Sequence, residues 1–134
     1  MIVTGKEITE WVADRIGNTQ FHNEQAMGIV KDGVIVGGVV IDSYVPNARC
    51  AIHCAGEGKR WINREFIFVV FDYVFRQLNC QVVINPVDSS NLASLKFTEH
   101  IGFTKAIEIK NGCGDNDLVL FTMQKEDCRW KDKK

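Results

Sequence analysis

The stretch "CAIHCAGEGKRWINR", residues 50–64, gathers the side chains best suited to chemistry. His53 stands between Cys50 and Cys54. Histidine is suited to exchanging a proton near neutrality. It is equally at home packed on a sheet face, and the sequence leaves both roles open. Two thiols and an imidazole could also hold zinc. On a strand, however, His53 would point to the face opposite both cysteines. The same spacing sets the two cysteines roughly 13 Å apart, too far for a disulfide. An acyl-carrying Cys54 would need a thiolate, and only His53 among its sequence neighbours could promote one. A buried, inert thiol is the simpler reading.

Just beyond, Gly56 and Gly58 loosen the chain before Lys59, Arg60 and Arg64. Cations at a helix start oppose the helix dipole. Residues that work against local stability point to an anionic ligand there. A solvated basic edge on a flexible loop is the alternative. A second stretch, "DSSNLASLKFTEHIGF", residues 88–103, reads as a short helix. Ser89, Ser90 or Asn91 can cap its start. Leu92, Leu95, Phe97 and Ile101 form the inward face. Gly102 suits a left-handed stop, after which Phe103 folds back near Phe97. These roles account for every residue except the choice and position of Asn91.

The surrounding elements must position these residues. Ile8, Trp11, Val12 and Ile16 at helical spacing predict a helix over 6–16, opened by Thr4 or Gly5 and stopped by Gly17-Asn18. Residues 25–55 read as an antiparallel meander of three strands, with "KDG" as its first turn. Gly37-Gly38 within it marks a bulge or a close backbone approach. The run from Trp61 to Leu78 predicts one long buried helix, because Glu65, Asp72, Arg76 and Asn79 share a stripe. Asp72 and Arg76 form an i,i+4 pair, and Asn79 is its stop. "CQVVINPV" is a strand that Pro86 bends or bulges. "TKAIEI" and "DLVLFTM" are strands joined by the loop "KNGCGDN", residues 110–116. The order predicts a single α+β domain over 1–134, with a mixed, mostly antiparallel sheet flanked by helices.

This order and these residues resemble the GCN5-related N-acetyltransferases. In that family the helix after "V-D-x-x-N" carries Asn, a small residue three on, an aromatic six on, and Gly-Phe a turn later. Here those are Asn91, Ser94, Phe97 and Gly102-Phe103. The resemblance covers nearly the whole chain and implies an acetyl-CoA cofactor. It places the pyrophosphate on "KRWINR": Lys59, Arg60, Trp61, Ile62, Asn63 and Arg64. Ile62 and Arg64 stand where the family has glycines, and side chains at those places are expected to crowd the phosphates. The resemblance also sets "CAIHCAG" beside the thioester, with a backbone N–H near Cys54 or Ala55 to polarise the carbonyl. His53 is then the candidate general base and Glu57 the second, acting through a water. Asn91 and Ser94 are candidates for cofactor contact, with capping and helix surface as their competing roles. Phe97 occupies the place of the family's usual tyrosine acid and cannot donate a proton. Tyr44 and Tyr73 are substitutes without positional support. The implied activity is acetyl transfer to a small-molecule or protein amine, directly within a ternary complex. Phe97 and the missing glycines leave a non-catalytic binding or adaptor protein on the same fold as the alternative. Acceptor contacts are expected on loops 18–24 and 111–117. The tail "EDCRWKDKK" is similar to that of short phage-encoded members.

Composition limits the partners. The chain has 134 residues, 46% hydrophobic and 25% charged, with a net charge of −1. No basic field draws nucleic acid or an anionic membrane. "FIFVVF" falls far short of the roughly 20 apolar residues a membrane span requires. Five scattered cysteines make no disulfide framework. The reading is a cytosolic protein without a metal site, compatible with a homodimer. Trp130 is either an exposed anchor or docked on its own domain.

Overall fold

The computed structural model describes residues 1–18, 20–58 and 62–130. Helical spacing of Ile8, Val12 and Ile16 produces α1 (Lys6–Ile16), with the bounds expected from sequence. Gly17 ends it at φ 71°, and its N–H returns to the Ala13 carbonyl. A strand too short to show in the sequence pattern, β1 (Ile2–Thr4), precedes it and pairs with β2 (Gln25–Lys31). β2, β3 (Val34–Val45) and β4 (Arg49–Gly56) form the expected antiparallel meander. Asp32 and Gly33, both at positive φ, turn its first hairpin. The close approach is real at Gly38. A Cβ there would stand 2.8 Å from Ile8 Cγ2 and 2.9 Å from Val12 Cγ2, so α1 rests directly on the β3 backbone.

The long apolar run folds as α2 (Arg64–Phe71) and continues as a π-helical segment, Asp72–Gln77. The helix starts later than the sequence predicts. Asn63 takes extended backbone, and its side chain accepts the Phe66 N–H at 2.8 Å, which fixes the boundary. The predicted first residue, Trp61, lies outside the described residues. Asp72 and Arg76 form the expected pair at 2.6 Å. Asn79, at φ 55°, follows the helical stretch as expected.

β5 (Val82–Asp88), α3 (Leu92–His100), β6 (Thr104–Cys113) and β7 (Asn116–Gln124) complete the order. The loop predicted over 110–116 is mostly strand. Gly112 allows this, because a Cβ there would lie 2.4 Å from Leu118 Cβ. The sheet runs β1-β2-β3-β4-β5-β7-β6, and among the described residues only β4 and β5 are parallel neighbours. The fold class is therefore the expected one. α1 covers one face through Ile8 and Val12, against Ala26 and Val40. α2 and the end of α3 cover the other, where Phe66, Phe71, Val74 and Ile101 meet Ile52, Val83 and Phe121.

One residue of α3 differs from expectation: Leu92, placed on the inward face, is 68% exposed, and Thr98 is fully buried. Phe103 returns its N–H to the Thr98 carbonyl at 3.2 Å, and its ring packs on Phe71 with centroids 6.0 Å apart. Trp130 docks on its own chain, its Nε1 donating to the Ile101 carbonyl at 2.7 Å. Among the described residues no helix is long and apolar enough to cross a membrane.

Candidate active site

A cleft opens where β4 and β5 part. They pair only at Arg49↔Val82, Cys50↔Val83 and Ala51↔Ile84. The next rung would need an N–H at Pro86, which has none. Ser89 N–H donates to Asp117, on the β7 side of β5. By strand alternation, position 86 faces β4. The missing donor therefore ends the β4 ladder and leaves the β7 ladder whole. The β5–β7 register runs unbroken from Val82 to Asp88, so the bend or bulge predicted at Pro86 does not interrupt it.

The same alternation sorts the backbone donors of β4. Glu57 N–H donates to Val36 of β3 at 2.8 Å. Ala55 and His53 share that direction, and Cys54 N–H points the other way, into the cleft. Of the two backbone donors considered from sequence, Cys54's is aimed at the cleft and Ala55's is not.

The cleft has two lobes, of about 520 Å³ and about 600 Å³, which share Arg15, Ile16, Cys54, Asn91 and Ser94 as walls. His53, Pro86 and Asp88 line the first, with Asn18 and Cys113 from the two predicted acceptor loops. Ala55, the Gly56–Gly58 turn and Phe97 line the second. The structure thus brings together His53, Cys54, Ala55, Glu57, Asn91, Ser94 and Phe97.

His53 is nearly enclosed. Its Nε2 stands 2.8 Å from Asp42 Oδ1, with side-chain exposures of 12% and 7%. The Phe21 ring tilts against the imidazole at 5.1 Å between centroids. Asp42 escaped sequence reading. It lies diagonally across from His53, opposite Ala51, next to a strand irregularity where Ser43 takes φ 54°. Only the β3–β4 register reveals the pair. Glu57 is engaged elsewhere: its Oε1 takes Arg15 Nε at 3.0 Å and Nη2 at 2.5 Å. Arg15 in turn stacks over Trp11 at 3.6 Å.

Asn91 is both cap and wall. Its Oδ1 accepts the Ser94 N–H at 3.1 Å while both residues line the cleft. Phe97 contributes apolar surface and no proton. Tyr44 donates instead to the Leu78 carbonyl at 2.9 Å, and Tyr73 to Gln25 Oε1. Tyr73 lines a separate cavity of about 650 Å³ between the start of α1 and α2, which includes none of the cleft residues named above. Burial pushes the Cys54 thiol up to about 12, so it stays protonated. The Ser90 backbone N–H, then the Ser90 hydroxyl, hold Asp88 below the usual carboxylate range. Cys50 and Cys54 adjoin the main core. Among the described residues no three metal-ligating side chains converge.

The basic stretch divides. Lys59, Arg60 and Trp61 lie outside the described residues. Ile62 is partly buried against the main core. Asn63 caps α2, and the Arg64 guanidinium stands 5.6 Å from the centroid of the Trp130 ring.

No protein-family model matches the sequence, and no curated protein matches it. Solved structures do. A chimera of the Vibrio cholerae spermidine N-acetyltransferase SpeG and hSSAT superposes with a TM-score of 0.71 at 10% identity, over 98% of this chain and 99% of that one. Campylobacter jejuni N-acetyltransferase PseH, in complex with acetyl coenzyme A, gives 0.60 at 14% identity, over 87% and 76%. A Bacillus anthracis acetyltransferase of the GNAT family gives 0.61 at 16% identity, over 87% and 72%. The fold is that of the GCN5-related N-acetyltransferases.

Proposed function

We propose that the chain is an N-acetyltransferase that moves an acetyl group from acetyl-CoA to a small amine, directly and without an acyl-enzyme. The observation that carries this reading is the β4–β5 cleft, with the Cys54 N–H and His53 on one wall and Asn91 on the other. A narrow cleft between parting strands fits an extended acyl-pantetheine arm, and the free strand edge offers it a donor. Bound there, acetyl-CoA would supply an activated thioester.

The chain's residues divide the remaining work. His53 takes the proton of the acceptor ammonium. The Cys54 N–H stabilises charge on the acyl oxygen. The Cys54 thiol, held protonated, is a poor nucleophile, which favours direct transfer. Glu57, committed to Arg15, orders the mouth of the cleft. Asp88 places a negative charge where an ammonium would enter. The start of α2, with Lys59, Arg60 and the Asn63 cap, holds the pyrophosphate. Phe97 leaves the departing thiolate to take its proton from water.

Phe97 also favours a second reading, a protein that binds the cofactor without turning it over. Calorimetry with acetyl-CoA, followed by an acetylation assay over a panel of amines, separates the two. Both readings fail if high micromolar cofactor does not bind. Binding that is lost when Lys59 and Arg60 are changed to Glu places the pyrophosphate. With an active protein, His53→Ala should lower kcat by about 10²–10⁴ with cofactor affinity unchanged.

A further inference from the structure

We propose that Asp42 is a positioning residue that holds His53 in its Nε2–H form, leaving Nδ1 as the ring atom that accepts the acceptor's proton. This rests on the reading of His53 as the base. A carboxylate only accepts hydrogen bonds, so the hydrogen in the 2.8 Å contact belongs to His53 Nε2. A neutral imidazole carries one N–H, and Nδ1 is therefore the basic nitrogen.

Asp42 is itself fixed. Its Oδ2 accepts the His22 backbone N–H at 3.1 Å, and the Ser43 N–H returns to the His22 carbonyl at 3.0 Å. Both carboxylate oxygens are thus engaged, one by the 20–23 segment and one by the ring. Phe21 of the same segment covers the imidazole. Turning the ring over would break its bond to a nearly buried carboxylate, which is costly. The tautomer is set before any substrate arrives.

In the step itself, an N–H bond of the acceptor ammonium breaks and an Nδ1–H bond forms. The ring becomes a cation against the Asp42 carboxylate, and the freed amine attacks. Water then removes the Nδ1 proton and restores the neutral ring.

The test is nitrogen-15 NMR of the full chain labelled at histidine, read through the long-range proton correlations of each ring. In the wild-type protein the neutral His53 ring should carry its proton on Nε2. A neutral ring protonated on Nδ1 overturns the proposal. In Asp42→Ala both tautomers should appear. The kinetic companion is a split of kcat from KM: Asp42→Ala should lower kcat about 10²-fold while the KM for acetyl-CoA stays within about threefold. An unchanged kcat also overturns the proposal. Should the wild-type chain acetylate no amine, the functional reading fails, and the NMR result still decides whether Asp42 sets the tautomer.

Discussion

Asn85 of β5 donates through Nδ2 to Thr98 Oγ1 of α3 at 3.2 Å, with 4% and 0% of the two residues exposed. This bond ties the helix that carries Asn91 and Ser94 to the strand that forms the cleft floor. Thr98→Val keeps the shape and leaves the buried amide unpaired. The expected loss is about 1–3 kcal/mol of unfolding free energy, measured by urea denaturation. A loss below about 0.5 kcal/mol would show that the bond is not needed.

Pro86→Ala returns the N–H that the β4–β5 ladder lacks. Hydrogen exchange should show the new amide at position 86 protected, because it can pair with β4. A longer ladder narrows the cleft, so acetyl-CoA affinity should fall, by up to about tenfold for one added hydrogen bond. An unprotected amide at that position would mean that something other than the missing donor parts the strands.

Gly38→Ala places a methyl group against Ile8 and Val12. Overpacking of this kind costs about 1–3 kcal/mol. Thermal unfolding should register it, and adding Val12→Ala, which removes one of the two contacted methyl groups, should cost less in that chain than in the wild type. α1 also carries Arg15, so loosening the helix should release Glu57 as well.

The raised thiols of Cys50 and Cys54 predict an alkaline limit to stability. Cys54 is raised from an ordinary value of about 9 to about 12, so its folded form prefers the neutral thiol. Its contribution is complete below pH 9 and is lost as pH rises towards 12. Cys50 is raised further still, by burial first and then by the neighbouring Cys80. Each thiol should steepen the fall by up to about 1.4 kcal/mol per pH unit in this window. Chemical denaturation at stepped pH should show the fall, and Cys54→Ala should flatten it. An equal slope in that variant would remove Cys54 as a cause.

Much of this was legible in the sequence where local chemistry decides. α1 follows from its apolar spacing and its closing glycine, and the meander from "KDG" and strand alternation. Asn91, Ser94, Phe97 and His53 could be gathered on one cleft through the family resemblance, since α3 carries the first three and β4 the last. What stayed hidden depends on distant pairing. β1 has only three residues and no pattern of its own. Leu92 sits in the first turn of α3, beyond the reach of the core, so its apolar side chain misleads. Pro86 could be seen, but its effect required knowing which neighbour its missing N–H faced. Asp42 could be joined to His53 only through the β3–β4 register.

β6 ends the sheet with its residues exposed from Thr104 to Gly112, including Ile107 and Ile109 at 53% and 40%. Such an edge is an open template for a foreign strand. Two register shifts against β7, between Lys105 and Ile107 and between Ile109 and Cys113, interrupt its regularity. Lys105, Glu108 and Lys110 place charges between the apolar residues. An incoming strand would have to match an irregular backbone while burying those charges. Neutral residues at these three positions should therefore make the border of the molecule more prone to aggregate.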